Sequence, residues 1–222
     1  MKSLICMVLL VMGNAFSQSA PKNHENLGAS SWSGFELKGK VKSIRECKGK
    51  SCQLIKFNQY GIDLRSLEER KLKQQGTDFL IFERPIREDG QNYILIEKFE
   101  KMNLVRTEKH DQKTNLISIG EMKYNDYGKL KEYVTYEVSN GRNTISSITE
   151  FEYKNDELIQ AQFKMFSPNY LVKTTYKDGF TFEIITNQGA KIKYNYQLDL
   201  KGNWIVRSSN LGTKTTREIV YY

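Results

Sequence analysis

Residues 134–153 read VTYEVSNGRNTISSITEFEY. Apolar and polar side chains alternate on both sides of Asn140-Gly141, from Val134 to Val138 and again from Ile148 to Tyr153. Alternation with period two places successive side chains on opposite faces of an extended strand. Asn and Gly accept positive φ, so Asn140-Gly141 suits the two-residue turn that joins antiparallel strands. The stretch is therefore expected to form a β-hairpin with one buried and one wet face.

Outward from this hairpin the same punctuation recurs: Asp89-Gly90, Asn125-Asp126-Tyr127-Gly128, Asn155-Asp156, Asp178-Gly179, Asn187-Gln188-Gly189 and Lys201-Gly202-Asn203. Between these turns the period stays at two. Ile159, Ala161, Phe163 and Met165 alternate with Gln160, Gln162 and Lys164; Ile192, Tyr194 and Tyr196 alternate with Lys191, Lys193 and Asn195; Phe180, Phe182 and Ile184 flank Thr181 and Glu183. The fold class expected is all-β, an antiparallel meander of hairpins whose sheet curls or partly closes. Leu64 to Gln75, stopped by Gly76, is the one stretch with helical character.

The hairpins also repeat in sequence. Phe57-Asn58-Gln59-Tyr60-Gly61 with Leu64, Tyr124-Asn125-Asp126-Tyr127-Gly128 with Leu130, and Tyr153-Lys154-Asn155-Asp156 with Leu158 share one frame: an aromatic, a polar turn, then an apolar re-entry. Tyr176 through Phe180 and Tyr196 through Trp204 continue it. One such unit cannot bury its aromatic alone, so neighbours must stack. The frame resembles a degenerate form of the YD repeats of bacterial rearrangement-hotspot and teneurin-type proteins. The opening Leu37-Lys38-Gly39-Lys40-Val41-Lys42-Ser43-Ile44 and the ending Gly202-Asn203-Trp204 with Arg217 to Tyr222 are similar to small exported YD-like proteins of Gram-negative bacteria. Residues 67–110 match poorly. The resemblance implies stacked hairpins without catalytic residues; long members wind a shell around a toxin, and 222 residues are too few to enclose one. Burial of Phe57, Tyr124, Tyr153, Tyr176, Tyr196 and Trp204 is expected.

Residues 1–17 carry one charge, Lys2, then an apolar run from Leu4 to Met12 that is too short for a spanning helix. Small residues Ala15 and Ser17 follow, the order of an export signal cleaved after Ser17. A buried N-terminal helix is the competing reading, and Cys6 within the run, not at its exit, argues against a lipid anchor. Residues 18–34 read as a flexible leader, rich in Ser, Asn, Gly and Lys, and 35–222 as a single β-repeat domain. Export to the periplasm or beyond leaves Cys47 and Cys52 as a pair for oxidation. They flank the turn-like Lys48-Gly49-Lys50-Ser51, where a hairpin sets them opposite each other, so a disulfide is expected.

Hydrophobic residues make up 39% of the chain, so a core must draw on 13 Tyr, 11 Phe and 2 Trp. Formal net charge is +8, or +7 once Lys2 leaves with the signal. A basic exported protein meets acidic glycans, cell-wall polymers and envelope proteins before nucleic acid. Lys38, Lys40 and Lys42 share a strand parity opposite Phe35, Leu37 and Val41, with Arg45, Lys48 and Lys50 following; the set is either an anion-binding patch or a charged strand edge that blocks aggregation. Tyr133, Tyr170, Tyr194 and Tyr196 are core or a sugar-stacking surface.

Histidine is scarce: His24 falls in the leader and His110 beside Asp111 in an expected loop. Hydrolytic triads and zinc sites normally draw on it, and no phosphate, dinucleotide or calcium loop is present. Glu150 with Glu152, and Glu97 with Glu100, are the carboxylates from which a glycosidase-like pair would be built. The expected function is a non-enzymatic binding or scaffold module of the envelope, without cofactor or metal. The alternatives are a carboxylate-dependent polysaccharide-active enzyme and an accessory or immunity-type partner of a larger repeat protein.

Overall fold

The computed structural model describes residues 36–59, 61, 63, 64, 69–101 and 103–222. The expected signal 1–17 and leader 18–34, with Cys6, His24 and Phe35, lie outside them, as does Tyr60. The chain is all-β, as expected. In order the strands are β1 (Val41–Lys48), β2 (Ser51–Lys56), β3 (Lys71–Gln75), β4 (Phe79–Glu88) and β5 (Gln91–Glu100). There follow β6 (Asn103–His110), β7 (Leu116–Tyr124), β8 (Leu130–Ser139), β9 (Arg142–Lys154) and β10 (Glu157–Phe166). The series ends with β11 (Asn169–Lys177), β12 (Phe180–Thr186), β13 (Lys191–Leu198), β14 (Trp204–Ser209) and β15 (Lys214–Tyr221).

All fifteen form one antiparallel sheet in the order β2-β1-β15-β14, descending from there to β3. The sheet is not closed: β2 and β3 are its two edges, yet they are consecutive in the chain. A flat sheet of this size would span about 67 Å at ~4.8 Å per strand. The linking residues 57–70 reach about 50 Å at most when fully extended. The edges must therefore approach each other, and the sheet curls.

Two kinds of turn recur in the meander. Asp89-Gly90, Asn140-Gly141, Asn155-Asp156 and Asp178-Gly179 have positive φ at both central positions, the turn whose twist matches that of the strands. The second kind spans five residues. In Asn125–Lys129 the Asn125 side-chain oxygen accepts from the backbone N–H groups of Tyr127 and Lys129, and Gly128 N–H donates to the Asn125 carbonyl. Asp199 does the same for Lys201 and Asn203. Asp111 repeats it for Lys113 and Asn115, and Ser209 for Leu211 and Thr213. The side chain at the first position thus satisfies N–H groups that a tight turn leaves unpaired.

Bulges lie beside the turns of the repeat frame, between Lys123 and Tyr124, Leu158 and Gln160, Thr175 and Tyr176, and Gln197 and Leu198. Each adds a residue, bends the strand and increases its twist, which gives the curl a local cause. The inner face holds the buried set Leu130, Phe151, Leu158 and Ala161, with Met122, Tyr124, Tyr133, Tyr153, Phe163 and Tyr176 against it. A second cluster, Leu37, Val41, Ile44, Ile55 and Phe57, joins the N-terminal hairpin to Ile219 and Tyr221 of β15. Phe82 and Phe99 form a third, edge to face, with Leu80 and Leu104. Phe57 and Trp204 are buried as expected, and Tyr124, Tyr153, Tyr176 and Tyr196 partly so.

Two expectations are corrected. Lys71–Gln75 is an edge strand, not the end of a helix, because its backbone pairs with Leu80 to Glu83 and tertiary pairing outweighs helix propensity. Phe182 does not join Phe180 and Ile184 inside: Thr181 faces Tyr176 and Glu183 faces Thr175, so the bulge turns Phe182 out to 41% exposure.

Candidate functional site

The repeat end of the sheet is stitched by tyrosines. Tyr124 donates to the Leu104 carbonyl at 2.7 Å, Tyr153 to Leu130 at 3.0 Å and Tyr196 to Thr181 at 2.6 Å. Each bond links neighbouring hairpins where no turn joins them. Burial pushes the Tyr124 and Tyr153 phenols up to about 12 and raises Tyr176 and Tyr196 further.

Residues 36–40 lie across this end. Glu36 takes φ +56, and one carboxylate oxygen accepts from the Thr181 backbone N–H at 2.8 Å and its hydroxyl at 2.9 Å. The other accepts from the Trp204 indole Nε1 at 2.9 Å. Asn203, wholly buried, accepts from the Lys38 N–H and donates to the Lys38 carbonyl at 2.9 Å and the Tyr221 hydroxyl at 2.7 Å. Tyr221 in turn donates to Asp199, whose acidity this bond and those from Asn203 and Lys201 increase against the opposing effect of burial.

Cations converge on the aromatic faces here. The Arg217 guanidinium stacks 3.4 Å from the Trp204 ring centre and donates to Glu46 at 2.8 Å. Burial lowers the Arg217 pKa, while Glu46 opposes that shift. Arg207 lies 4.8 Å from Trp204 and 5.4 Å from Tyr194, Lys38 4.9 Å from Phe180, and Lys201 3.7 Å from Tyr221. Such contacts hold a cation by the ring quadrupole without using its N–H groups, and Arg217 directs its own to Glu46.

The lysine set is only partly brought together. The strand expected to carry Lys38, Lys40 and Lys42 begins at Val41, because the Asn203 bonds and Gly39 at φ +75 hold residues 36–40 across the sheet end. Lys38, Lys40 and Lys42 are exposed at that end, whereas Lys48 and Lys50 flank the turn at the far end of β1, about 25 Å away for an eight-residue strand. Arg45 lies between them, 3.8 Å from Glu218. Cys47 and Cys52 form the expected disulfide across β1 and β2, with Cα atoms 4.1 Å apart.

The carboxylates are dispersed. Glu97 is buried and held by Arg70 at 2.8 Å and 3.3 Å, with Arg84 at 3.4 Å, while Glu100 follows the opposite strand parity. Glu150 and Glu152 are exposed on the face opposite Phe151. His110 ends β6 instead of lying in a loop; its ring meets the Thr114 carbonyl at 3.2 Å and Glu108 at 3.4 Å. Among the described residues no group of three or more His, Cys, Asp or Glu is placed to hold a metal ion. Sequence reasoning missed Glu36, Arg207 and Arg217. The Trp204 position was legible; its partners come from strands whose order the sequence does not state.

No protein-family model matches the chain and no curated protein does. Among solved structures, a porin-like protein from Bacteroides uniformis is similar, with a TM-score of 0.50 at 12% identity, over 81% of this chain and 98% of that one. At such identity the likeness is one of fold.

Proposed function

We propose that this protein is a non-enzymatic, exported binding or scaffold module of the cell envelope, a YD-like hairpin array whose repeat end meets an acidic glycan or wall polymer. The observation that carries this is the convergence of Arg207, Arg217, Lys38 and Lys201 on Trp204, Tyr194, Phe180 and Tyr221. Of these, Lys38 and Lys201 are exposed and Arg207, Tyr194 and Tyr221 half-buried, so the end offers cationic donors beside aromatic rings, the combination that sugar carboxylates recruit, while Arg217, Trp204 and Phe180 are buried. The outward face is mixed, with Val134, Ile148 and Leu171 among its charged residues. Glu150, Glu152, Lys164, Lys173, Lys191 and Lys193 are all exposed, and a lysine at a bilayer midplane costs about 2–4 kcal/mol on a barrel's lipid face.

The test is retention of the mature protein on an acidic-glycan or wall-polymer resin across a salt series, with Lys38, Lys40 and Lys42 changed together to Gln. Retention is expected to fall and its salt dependence to flatten, because fewer counterions are released, a relation carried over from nucleic acid. Melting should be nearly unchanged, since exposed lysines contribute little to folding. Equal retention of variant and parent at low salt would leave the lysines as protection for the sheet end.

A further inference from the structure

Glu36 is held in the way a bound ligand is held. Its carboxylate meets three donors, two from Thr181 and one from Trp204. Both residues are buried, at 4% and 0% exposure, and both belong to the sheet. Each has a contact besides Glu36. The Thr181 carbonyl is fixed by Tyr196, and the Trp204 ring is flanked by the Arg217 and Arg207 guanidiniums, which add positive potential. The donors are therefore preorganised, and the carboxylate is the movable part. The Glu36 backbone itself sits at φ +56, a left-handed conformation unfavourable for a residue with a Cβ. An unfavourable backbone held in place by a side chain's three hydrogen bonds marks the pocket, not the segment, as the source of order.

We propose that the Thr181–Trp204 pocket is a carboxylate-recognition site, filled in cis by Glu36, and that a carboxylate-bearing sugar, a hexuronate, is the ligand class that takes it in trans. Three donors shared between two oxygens suit a planar carboxylate. Glu36 then acts as an internal competitor: ligand enters as the 36–40 segment lifts, and apparent affinity in the native chain is reduced by the fraction of time Glu36 occupies the site. The choice of hexuronate rests on the acidic-ligand reading above; the pocket assignment does not.

Glu36→Gly vacates the pocket while keeping the backbone conformation, which glycine adopts freely. The variant is made with Trp32→Phe, so that the Trp204 indole N–H is the single indole resonance, and is titrated with acetate, then galacturonate. Chloride at matched ionic strength and inorganic phosphate serve as controls. A saturable shift of that resonance with both carboxylates is expected, at concentrations at least tenfold lower than in the chain retaining Glu36, and Thr181→Val should weaken it about fivefold or more. If the Gly variant is unfolded alone, refolding in acetate but not in chloride is the supporting result. A folded variant without a saturable shift, an equal response to chloride, or an unfolded variant that acetate does not restore would each overturn the proposal. Acetate binding without polymer retention keeps the pocket and removes the envelope reading; retention without acetate binding does the reverse.

Discussion

Trp204 anchors the repeat end, and truncating it to Ala measures how much that end contributes. The ring is fully buried, so the loss begins with the cavity and transfer cost of a large aromatic, about 3–5 kcal/mol. Glu36 then loses one of its three donors, and a buried acceptor deprived of a partner costs about 1–3 kcal/mol more. The Arg217 guanidinium also loses the ring it stacks on. Because the Glu36 carboxylate keeps its two Thr181 donors, the lower part of each range applies, giving about 4 kcal/mol in all. Urea unfolding followed by far-UV circular dichroism reads this as a lower midpoint at constant slope. Trp204→Phe separates the two contributions: it keeps most of the packing and loses the N–H, so it should cost about 1–2 kcal/mol. A Trp204→Ala effect below about 1 kcal/mol would refute the role of the repeat aromatic as core. Equal effects of Ala and Phe would move the energy from packing to the hydrogen bond.

Replacing Cys47 and Cys52 by Ser should lower stability by about 2 kcal/mol, the small end for disulfides because the loop is short, and two free thiols in protein purified without reductant would refute the bridge. Gly120→Ala should cost about 1–3 kcal/mol by overpacking, since a Cβ there would lie 2.4 Å from the Thr107 hydroxyl and 2.6 Å from that of Tyr133; a neutral result in the same urea titration would mean the two hydroxyls move aside freely. Tyr124 and Tyr153 keep their protons up to about 12 when folded, whereas unfolded tyrosines ionise near 10. Stability from these groups is therefore fully present below about pH 10 and declines through pH 12. Phenolate absorbance should show a late-titrating class, and thirteen tyrosines titrating together near 10 would contradict their burial.

The turn residues made the fold legible. Asn140-Gly141 and Asp178-Gly179 carry their conformation in their own chemistry, and the five-residue turn is readable from Asn125 to Gly128 because one side-chain oxygen serves two N–H groups. Strand faces were less legible. Val134, from which the first hairpin was read, pairs with Ile148 and Glu121 on the face opposite Tyr133, Thr149 and Met122. Period two identifies a strand, but one bulge exchanges its faces, and a bulge has no strong residue signature. The site was least legible, because Glu36, Thr181 and Trp204 are far apart in the chain.

Taken from β3 through β15 and then on through β1 to β2, every strand of the sheet pairs with its successor. The architecture is thus a circularly permuted meander, with β2 and β3 as its edges and the β1–β15 pair, Val41 beside Tyr221, as the seam. Thirteen of the fourteen pairings are local hairpins; only the seam joins residues some 170 positions apart. Local pairings form quickly, whereas the seam must wait for the last strand and bear the largest loop-closure entropy. Since Glu36 and Lys38 reach their partners across that seam, the repeat end takes shape last, and an incomplete chain would collapse into hairpins without acquiring it.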